Sequence, residues 1–139
     1  MKVRTLITTA LATTVLGVGV AGLATTAEAY STTSYVPRAI RGYYISRTGN
    51  TALTITRHKI VEAIPQADWY NYHVASVSYS NHYYHIHTYM DMGKRYHFNL
   101  KLRHYAKNKL TTGGYTYQKV KASTCSYFLN HYNPYSMND

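Results

Sequence analysis

Cysteine, acidic residues and proline are scarce in this chain of 139 residues, which has one cysteine, five acidic residues and three prolines. The single cysteine, Cys125, excludes an internal disulfide, although small secreted domains often depend on such bridges. Cys125 is therefore either a buried apolar residue or a link between two chains. The fold has to be stabilised by the packing of its secondary structure.

The scarcity of carboxylates argues against acid–base hydrolysis, which needs two carboxylates held at a fixed separation. The acidic residues after position 29 are Glu62, Asp68, Asp91 and Asp139. Cys125 lies six residues before His131, but no third group or oxyanion loop accompanies them, as a thiol nucleophile would require. Serine and threonine are abundant without the glycines of a nucleophile elbow. We therefore predict that the protein is not an enzyme.

The first 29 residues have the pattern of a secretory signal peptide. Lys2 and Arg4 precede an apolar run over 6–23, and Ala27–Ala29 is a small-x-small cleavage motif. A membrane anchor is the alternative for this run, but the run contains threonine and glycine and has no basic cluster behind it. We predict secretion, with no membrane-spanning segment left after cleavage.

Cleavage between Ala29 and Tyr30 would leave 110 residues, the size of one small domain. Removing two basic residues and one acidic residue leaves 13 basic and 4 acidic side chains, a net charge of +9 with neutral histidine. All 17 tyrosines and all eight histidines lie in this part. Tyrosine favours strands and half-buried surfaces. We divide the chain into a flexible leader (30–39), a β-barrel domain (40–122) and a C-terminal tail without clear periodicity (123–139).

Alternating apolar and polar residues, separated by turn signals, predict an all-β fold. The predicted strands are 40–47, 51–56 continuing to 60–62, 69–79, 83–91, 95–105 and 115–122. We expect a small antiparallel β-barrel, a meander of about six to seven strands. No amphipathic helix is expected.

The clearest pattern is a hairpin over 83–105, with Met92-Gly93-Lys94 as a three-residue loop in which glycine can take a positive φ. A loop of this length places apolar residues of one strand opposite apolar residues of the other. The register that the loop sets therefore agrees with the alternation of apolar and polar residues along both strands. The predicted pairs are Met90–Tyr96, Thr88–Phe98, Ile86–Leu100, Asp91–Arg95 and His87–Asn99.

Three segments resemble the small secreted lipocalin-like proteins of lactic-acid bacteria: PRAIRGYY over 37–44, the segment 53–60, and YTYQK over 115–119. The first strand of that family usually carries Arg-Gly-x-Trp-Tyr, similar to the lipocalin Gly-x-Trp signature. Here Tyr44 fills the Trp position, or Tyr43 if the spacing is shortened, and that Trp normally closes the barrel floor. The resemblance covers about residues 37–121. It implies a calycin-type barrel and a secreted location, and it implies no activity.

Three histidines form a candidate metal site. His85 and His87 share one face of a strand, and His97 lies on the neighbouring strand. Three histidines from two adjacent strands can hold zinc with an open position. The same face carries Arg95, Lys101 and Arg103, which repel a cation, so the alternative is a solvated histidine face.

A basic run forms a candidate binding surface for polyanions. Its residues are Arg95, Lys101, Arg103, Lys107 and Lys109. For a secreted chain the expected partners are anionic cell-wall polymers or an anionic membrane surface. Nucleic acid would bind the same residues in vitro, but secretion argues against a physiological role. The alternative is that these charges keep a tyrosine-rich sheet soluble.

The eight histidines would raise the net charge from +9 toward +17 as the medium acidifies. The main prediction is thus a secreted, non-catalytic barrel, free or retained non-covalently at the cell surface, that associates electrostatically with anionic polymers. A lipocalin-like carrier of a small apolar ligand is the alternative. A barrel this small is normally filled by its own side chains, and here the interior residues would be Tyr84, Ile86, Met90, Tyr96, Phe98, Leu100 and Leu102. A zinc-binding protein is the third hypothesis.

Overall fold

A computed structural model describes residues 32–131. The predicted signal peptide and its cleavage site between Ala29 and Tyr30 lie outside the described residues, as does the part of the predicted tail from 132 to 139.

The described residues form nine strands, a short 3-10 helix and one α-helix. The strands are β1 (Thr32–Thr33), β2 (Gly42–Ser46), β3 (Thr51–Ile55), β4 (Lys59–Ala63), β5 (Trp69–Ser80), β6 (Tyr83–Met92), β7 (Lys94–Ala106), β8 (Lys109–Thr112) and β9 (Tyr115–Val120). The 3-10 helix is Arg38–Ile40, and the α-helix α1 is Ala122–His131.

Strands β2 to β9 form a closed antiparallel barrel, as predicted. Each strand pairs with the next along the chain, and β9 returns to pair with β2, so that Tyr44 lies opposite Lys119. The short β1 pairs with the end of β5, beyond the part of β5 that contacts β4. Closure leaves the eight strands without a free edge, which removes the aggregation hazard of an open sheet.

The predicted number of six to seven strands is wrong, because the barrel has eight. The single strand predicted over 51–62 is the hairpin of β3 and β4, in which Ile55 lies opposite Ile60. No strand was predicted between 105 and 115, where Lys109–Thr112 forms the four-residue strand β8, which pairs with both β7 and β9. A strand this short has too few residues for its alternation to stand out.

The predicted β6–β7 register is confirmed at every pair. Asp91 lies opposite Arg95, and the four other predicted pairs are also present. Gly93 lies at the tip of the hairpin with φ of 77°, which a residue with a side chain rarely adopts.

The barrel interior is a single apolar cluster to which every strand of the barrel contributes. Of the predicted interior residues, Ile86, Met90 and Leu102 are buried, while Tyr96 on β7 is exposed. Tyr84, Phe98 and Leu100 are half-buried. The inward alternation therefore holds along β6 and β7, but the hairpin end near Tyr96 extends beyond the packed core.

One end of the barrel is closed by residues 36–44. Val36 and Ile40 are fully buried, and the backbone N–H of Val36 donates to the carbonyl of Arg57 at 2.9 Å. This packing differs from the flexible leader expected over 30–39. Tyr44 is fully buried, and its hydroxyl donates to the carbonyl of Ile40 at 3.1 Å. Of the two tyrosines considered for the floor position, Tyr44 points inward and Tyr43 outward.

The expectation of no helix is wrong, because α1 packs on the outside of the barrel. Cys125 and Phe128 of α1 are buried against Ile45 and Ala52, which lie on the outer faces of β2 and β3. A spacing of three residues places Cys125 and Phe128 on one face of a helix, but one short apolar stripe is a weak signal in a sequence. Gln66 holds the end of α1, since its backbone N–H donates to the Leu129 carbonyl at 3.2 Å.

Candidate functional site

Four of the five predicted polyanion-binding residues follow one another on the outer face of the barrel, along β7 and into β8. Lys101 and Arg103 take alternate outward positions on β7, Lys107 lies in the following turn, and Lys109 begins β8. All four side chains are exposed. We call Lys101, Arg103, Lys107 and Lys109 the β7 basic row.

The β7 basic row has little negative charge near it. Three acidic residues occur within 32–131, and among them Asp91 alone lies on a strand adjacent to β7. Asp91 is at the far end of that strand, opposite Arg95. The ammonium of Lys101 lies 4.2 Å from the centre of the Tyr83 ring, a contact that orients the charge without neutralising it.

The fifth predicted residue, Arg95, is separate from this row. Its Nε donates to Oδ1 of Asp91 at 2.9 Å, and its guanidinium lies 4.1 Å from the centre of the Tyr89 ring. The hydrogen bond from Arg95 holds the pKa of the Asp91 carboxyl below its ordinary value. Six residues along β7 separate Arg95 from Lys101, a distance of about 20 Å. Arg95 is therefore paired locally and does not extend the β7 basic row.

The predicted metal ligands lie on one outer face, but their nitrogens do not converge. The rings of His87 and His97 are stacked, with centroids 5.3 Å apart and planes inclined by 15°. Nδ1 of His87 is 2.6 Å from Oδ1 of Asn99, and Nε2 of His85 is 3.1 Å from Oγ of Ser80. Zinc needs ring nitrogens about 2.1 Å from one point. Within residues 32–131, no group of three metal-ligating side chains is placed to hold an ion.

The stacked rings continue onto β5, a feature that the sequence did not reveal. His73 stacks on Tyr89 at 5.1 Å, and Tyr89 lies 6.3 Å from His97. An irregularity in the pairing of β5 with β6 between Val74 and Ser76 resets the alternation along β5. Because a bulge of this kind depends on the pairing of two strands, the sequence of β5 alone does not show on which face of the sheet His73 lies.

A second candidate site is a cavity of about 190 Å³ inside the barrel. The residues Val36–Tyr44 close the opposite end of the barrel, and the turn between β8 and β9 borders the cavity. Its lining residues are Leu53, Ile60, Glu62, Tyr72, Leu100, Leu102, Thr112, Gly113, Tyr115 and Tyr117. Leu100 and Leu102 were among the predicted interior residues, and the others were not.

Among the described residues 32–131, Glu62 is the one charged residue in the lining of this cavity. On β4, Ile60 and Glu62 take alternate positions, so both side chains point to the inside of the barrel. The hydroxyl of Tyr72 donates to Oε2 of Glu62 at 3.4 Å. The alternation of Ile60 and Glu62 was visible in the sequence, but the hairpin that turns both inward was not.

Two of the tyrosines near Glu62, Tyr72 and Tyr117, have a raised pKa. Burial raises the pKa of Tyr72, and the negative charge of Glu62 raises it further. Burial raises the pKa of Tyr117 to about 12, with a smaller contribution of the same sign from Glu62. Both phenols are therefore neutral around the carboxylate at physiological pH.

Cys125 lies outside both candidate sites. It is 3% exposed in the packing between α1 and the barrel, and burial raises the pKa of its thiol. Of the two roles considered for this residue, the structure shows the buried one. A thiol with a raised pKa is a weak nucleophile at neutral pH.

The fold places the chain in the class of closed, eight-stranded antiparallel β-barrels. Comparison of the chain with protein-family models, with curated proteins and with solved structures gave no match. Among residues 32–131, no helix has the length and apolar character needed to cross a membrane.

Proposed function

We propose that this protein is a secreted, non-catalytic barrel that associates electrostatically with anionic polymers of the cell surface. The observation that carries the proposal is the β7 basic row, in which four exposed cations follow one another with no carboxylate from residues 32–131 beside them. The secreted location rests on the N-terminal sequence pattern.

The geometry of the β7 basic row suits a linear polymer that carries phosphate groups. Lys101 and Arg103 are two residues apart on a strand, which separates their backbone positions by about 7 Å. Lys107 and Lys109 continue the row around the turn. A polymer bound along the row would meet several cations in sequence and release several counterions, so its binding would weaken steeply with salt.

The test measures binding of the purified protein to isolated cell walls, with and without their teichoic acid, over a salt series. The first variant changes the β7 basic row by Lys101→Gln, Arg103→Gln, Lys107→Gln and Lys109→Gln. The matched control lowers the net charge equally at exposed positions elsewhere by Arg38→Gln, Lys59→Gln, Lys94→Gln and Lys121→Gln.

We expect wall binding that requires the polymer, falls with salt and is lost in the first variant more than in the control. Equal losses in the two variants would show that net charge, and not the β7 basic row, causes the binding. Absence of wall binding at low salt would refute the proposed function.

A second candidate function is a lipocalin-like carrier of a small ligand in the barrel interior. The cavity of about 190 Å³ in a closed barrel favours it, since eight strands are enough to enclose one small molecule. Binding inside the barrel would saturate at one ligand per chain and would change little with salt for a neutral ligand. A fluorescent apolar probe titrated at low and high salt distinguishes this function from binding at the β7 basic row.

A further inference from the structure

The barrel cavity has a defined chemical character. Its walls are mainly aliphatic and aromatic: Leu53, Ile60, Leu102 and Tyr117 are buried, Tyr72 is half-buried and Tyr115 is exposed. Within the part of the chain that the structure describes, Glu62 contributes the one charge, and no lysine, arginine or histidine belongs to the lining. A carboxylate in an apolar surrounding is stable when a cation or several donors compensate its charge.

The partner that the structure gives to the Glu62 carboxylate is neutral. The Tyr72 hydroxyl lies 3.4 Å from Oε2, a long distance for an O–H···O⁻ hydrogen bond. An ammonium group in the cavity would give the half-buried Glu62 carboxylate a positively charged partner and three further donors. The rings of Tyr72 and Tyr117 line the same space, and aromatic faces attract cations.

We propose that the cavity binds a small primary amine with an aromatic or branched aliphatic tail, an inference that rests on the carrier function above. The ammonium pairs with Glu62, and the tail lies against Leu53, Ile60 and Leu102. An anionic ligand such as a fatty acid meets the like charge of Glu62 without a lining cation to offset it.

The volume sets the size of the ligand. A cavity of about 150 Å³ binds benzene. At about 190 Å³, this cavity has room for one ring and a short chain. The ligand therefore has about eight to ten non-hydrogen atoms. This limit excludes long-chain lipids from full enclosure.

The test uses the full chain and three probes that share a ring and a chain of similar length: 2-phenylethylamine, 2-phenylethanol and phenylacetate. Calorimetry measures the affinity of each for the unchanged protein. We expect the amine to bind at least about tenfold more tightly than the alcohol, since a charge-assisted hydrogen bond is about twice as strong as a neutral one. Phenylacetate should bind more weakly than the alcohol.

The variant Glu62→Gln keeps the size of the side chain and removes its charge. We expect it to abolish the preference for the amine and to leave the affinity for the alcohol within about twofold, because the apolar walls are unchanged. Asp68→Asn is the matched control, since Asp68 lies outside the cavity lining and should leave all three affinities unchanged.

The possible outcomes distinguish a failure of the amine preference from a failure of the carrier function. Equal binding of all three probes, or tighter binding of phenylacetate, would leave the carrier function standing and overturn the preference for amines. Failure of every probe to bind would overturn both. Retention of the amine preference in Glu62→Gln would also overturn the role of this carboxylate.

Discussion

Replacing Tyr44 by alanine is the sharpest test of the barrel floor, because its neighbour Tyr43 provides a matched control. The two tyrosines are adjacent on β2 and point to opposite faces of the sheet. Tyr44 is fully buried, whereas Tyr43 is 39% exposed. The same chemical change is thus made once inside the barrel and once outside.

The expected cost of Tyr44→Ala follows from the contacts of its ring and hydroxyl. Removing a fully buried aromatic ring costs about 3–5 kcal/mol in unfolding free energy. The variant Tyr44→Phe keeps the ring and removes the hydrogen bond to the Ile40 carbonyl, for a loss of about 1 kcal/mol. Tyr43→Ala should cost less than about 1 kcal/mol, since it leaves no buried cavity.

Urea denaturation followed by circular dichroism measures these differences. With an m value of about 2 kcal/mol/M, a loss of about 4 kcal/mol lowers the midpoint by about 2 M. A whole domain has about 5–15 kcal/mol of stability, so Tyr44→Ala is expected to be close to unfolding. Equal midpoints for Tyr44→Ala and Tyr43→Ala would refute the inward orientation of Tyr44 and the closed floor.

Three further predictions concern the helix and two titrating groups. Phe128→Ala should cost about 3 kcal/mol in urea denaturation and Tyr127→Ala little, because Phe128 is buried under α1 and Tyr127 is 66% exposed; equal costs would contradict the docking of α1. Burial raises the pKa of Tyr117 to about 12, so its contribution to stability is complete below pH 10 and is lost as the pH rises through about 12. In Tyr117→Phe, the free energy of unfolding should therefore fall less between pH 10 and pH 12 than in the unchanged protein. Arg95 lowers the pKa of Asp91, so the ion pair stabilises the fold above about pH 4 and ceases to do so as the pH falls through the lowered pKa. The melting temperatures of Asp91→Asn and of the unchanged protein should therefore become equal at low pH.

The β6–β7 hairpin was fully predictable because its information is local. Gly93 permits the tight turn, and the turn fixes which residues lie opposite one another. The outward row of Lys101 and Arg103 and the pairing of Asp91 with Arg95 followed from that register. The main surface site could therefore be outlined from the sequence.

The lining of the cavity and the arrangement of the histidine rings could not be predicted from the sequence. Glu62 lies inside because β3 and β4 form a hairpin and the barrel closes from β9 to β2. The stacking of His87 on His97, which leaves the zinc hypothesis without support from the geometry, depends on side-chain rotamers across two strands. Neither alternation nor spacing contains this information.

The sequence by itself determined the all-β class, the antiparallel hairpins and the excess of positive charge, because these depend on composition and on alternation between neighbouring residues. The tertiary structure alone decided that eight strands close into a barrel, that residues 36–40 fill one end and that α1 covers Cys125. Those features are contacts between segments far apart in the chain. Each forms because apolar surfaces are buried against one another, and no local sequence pattern shows which surfaces will meet.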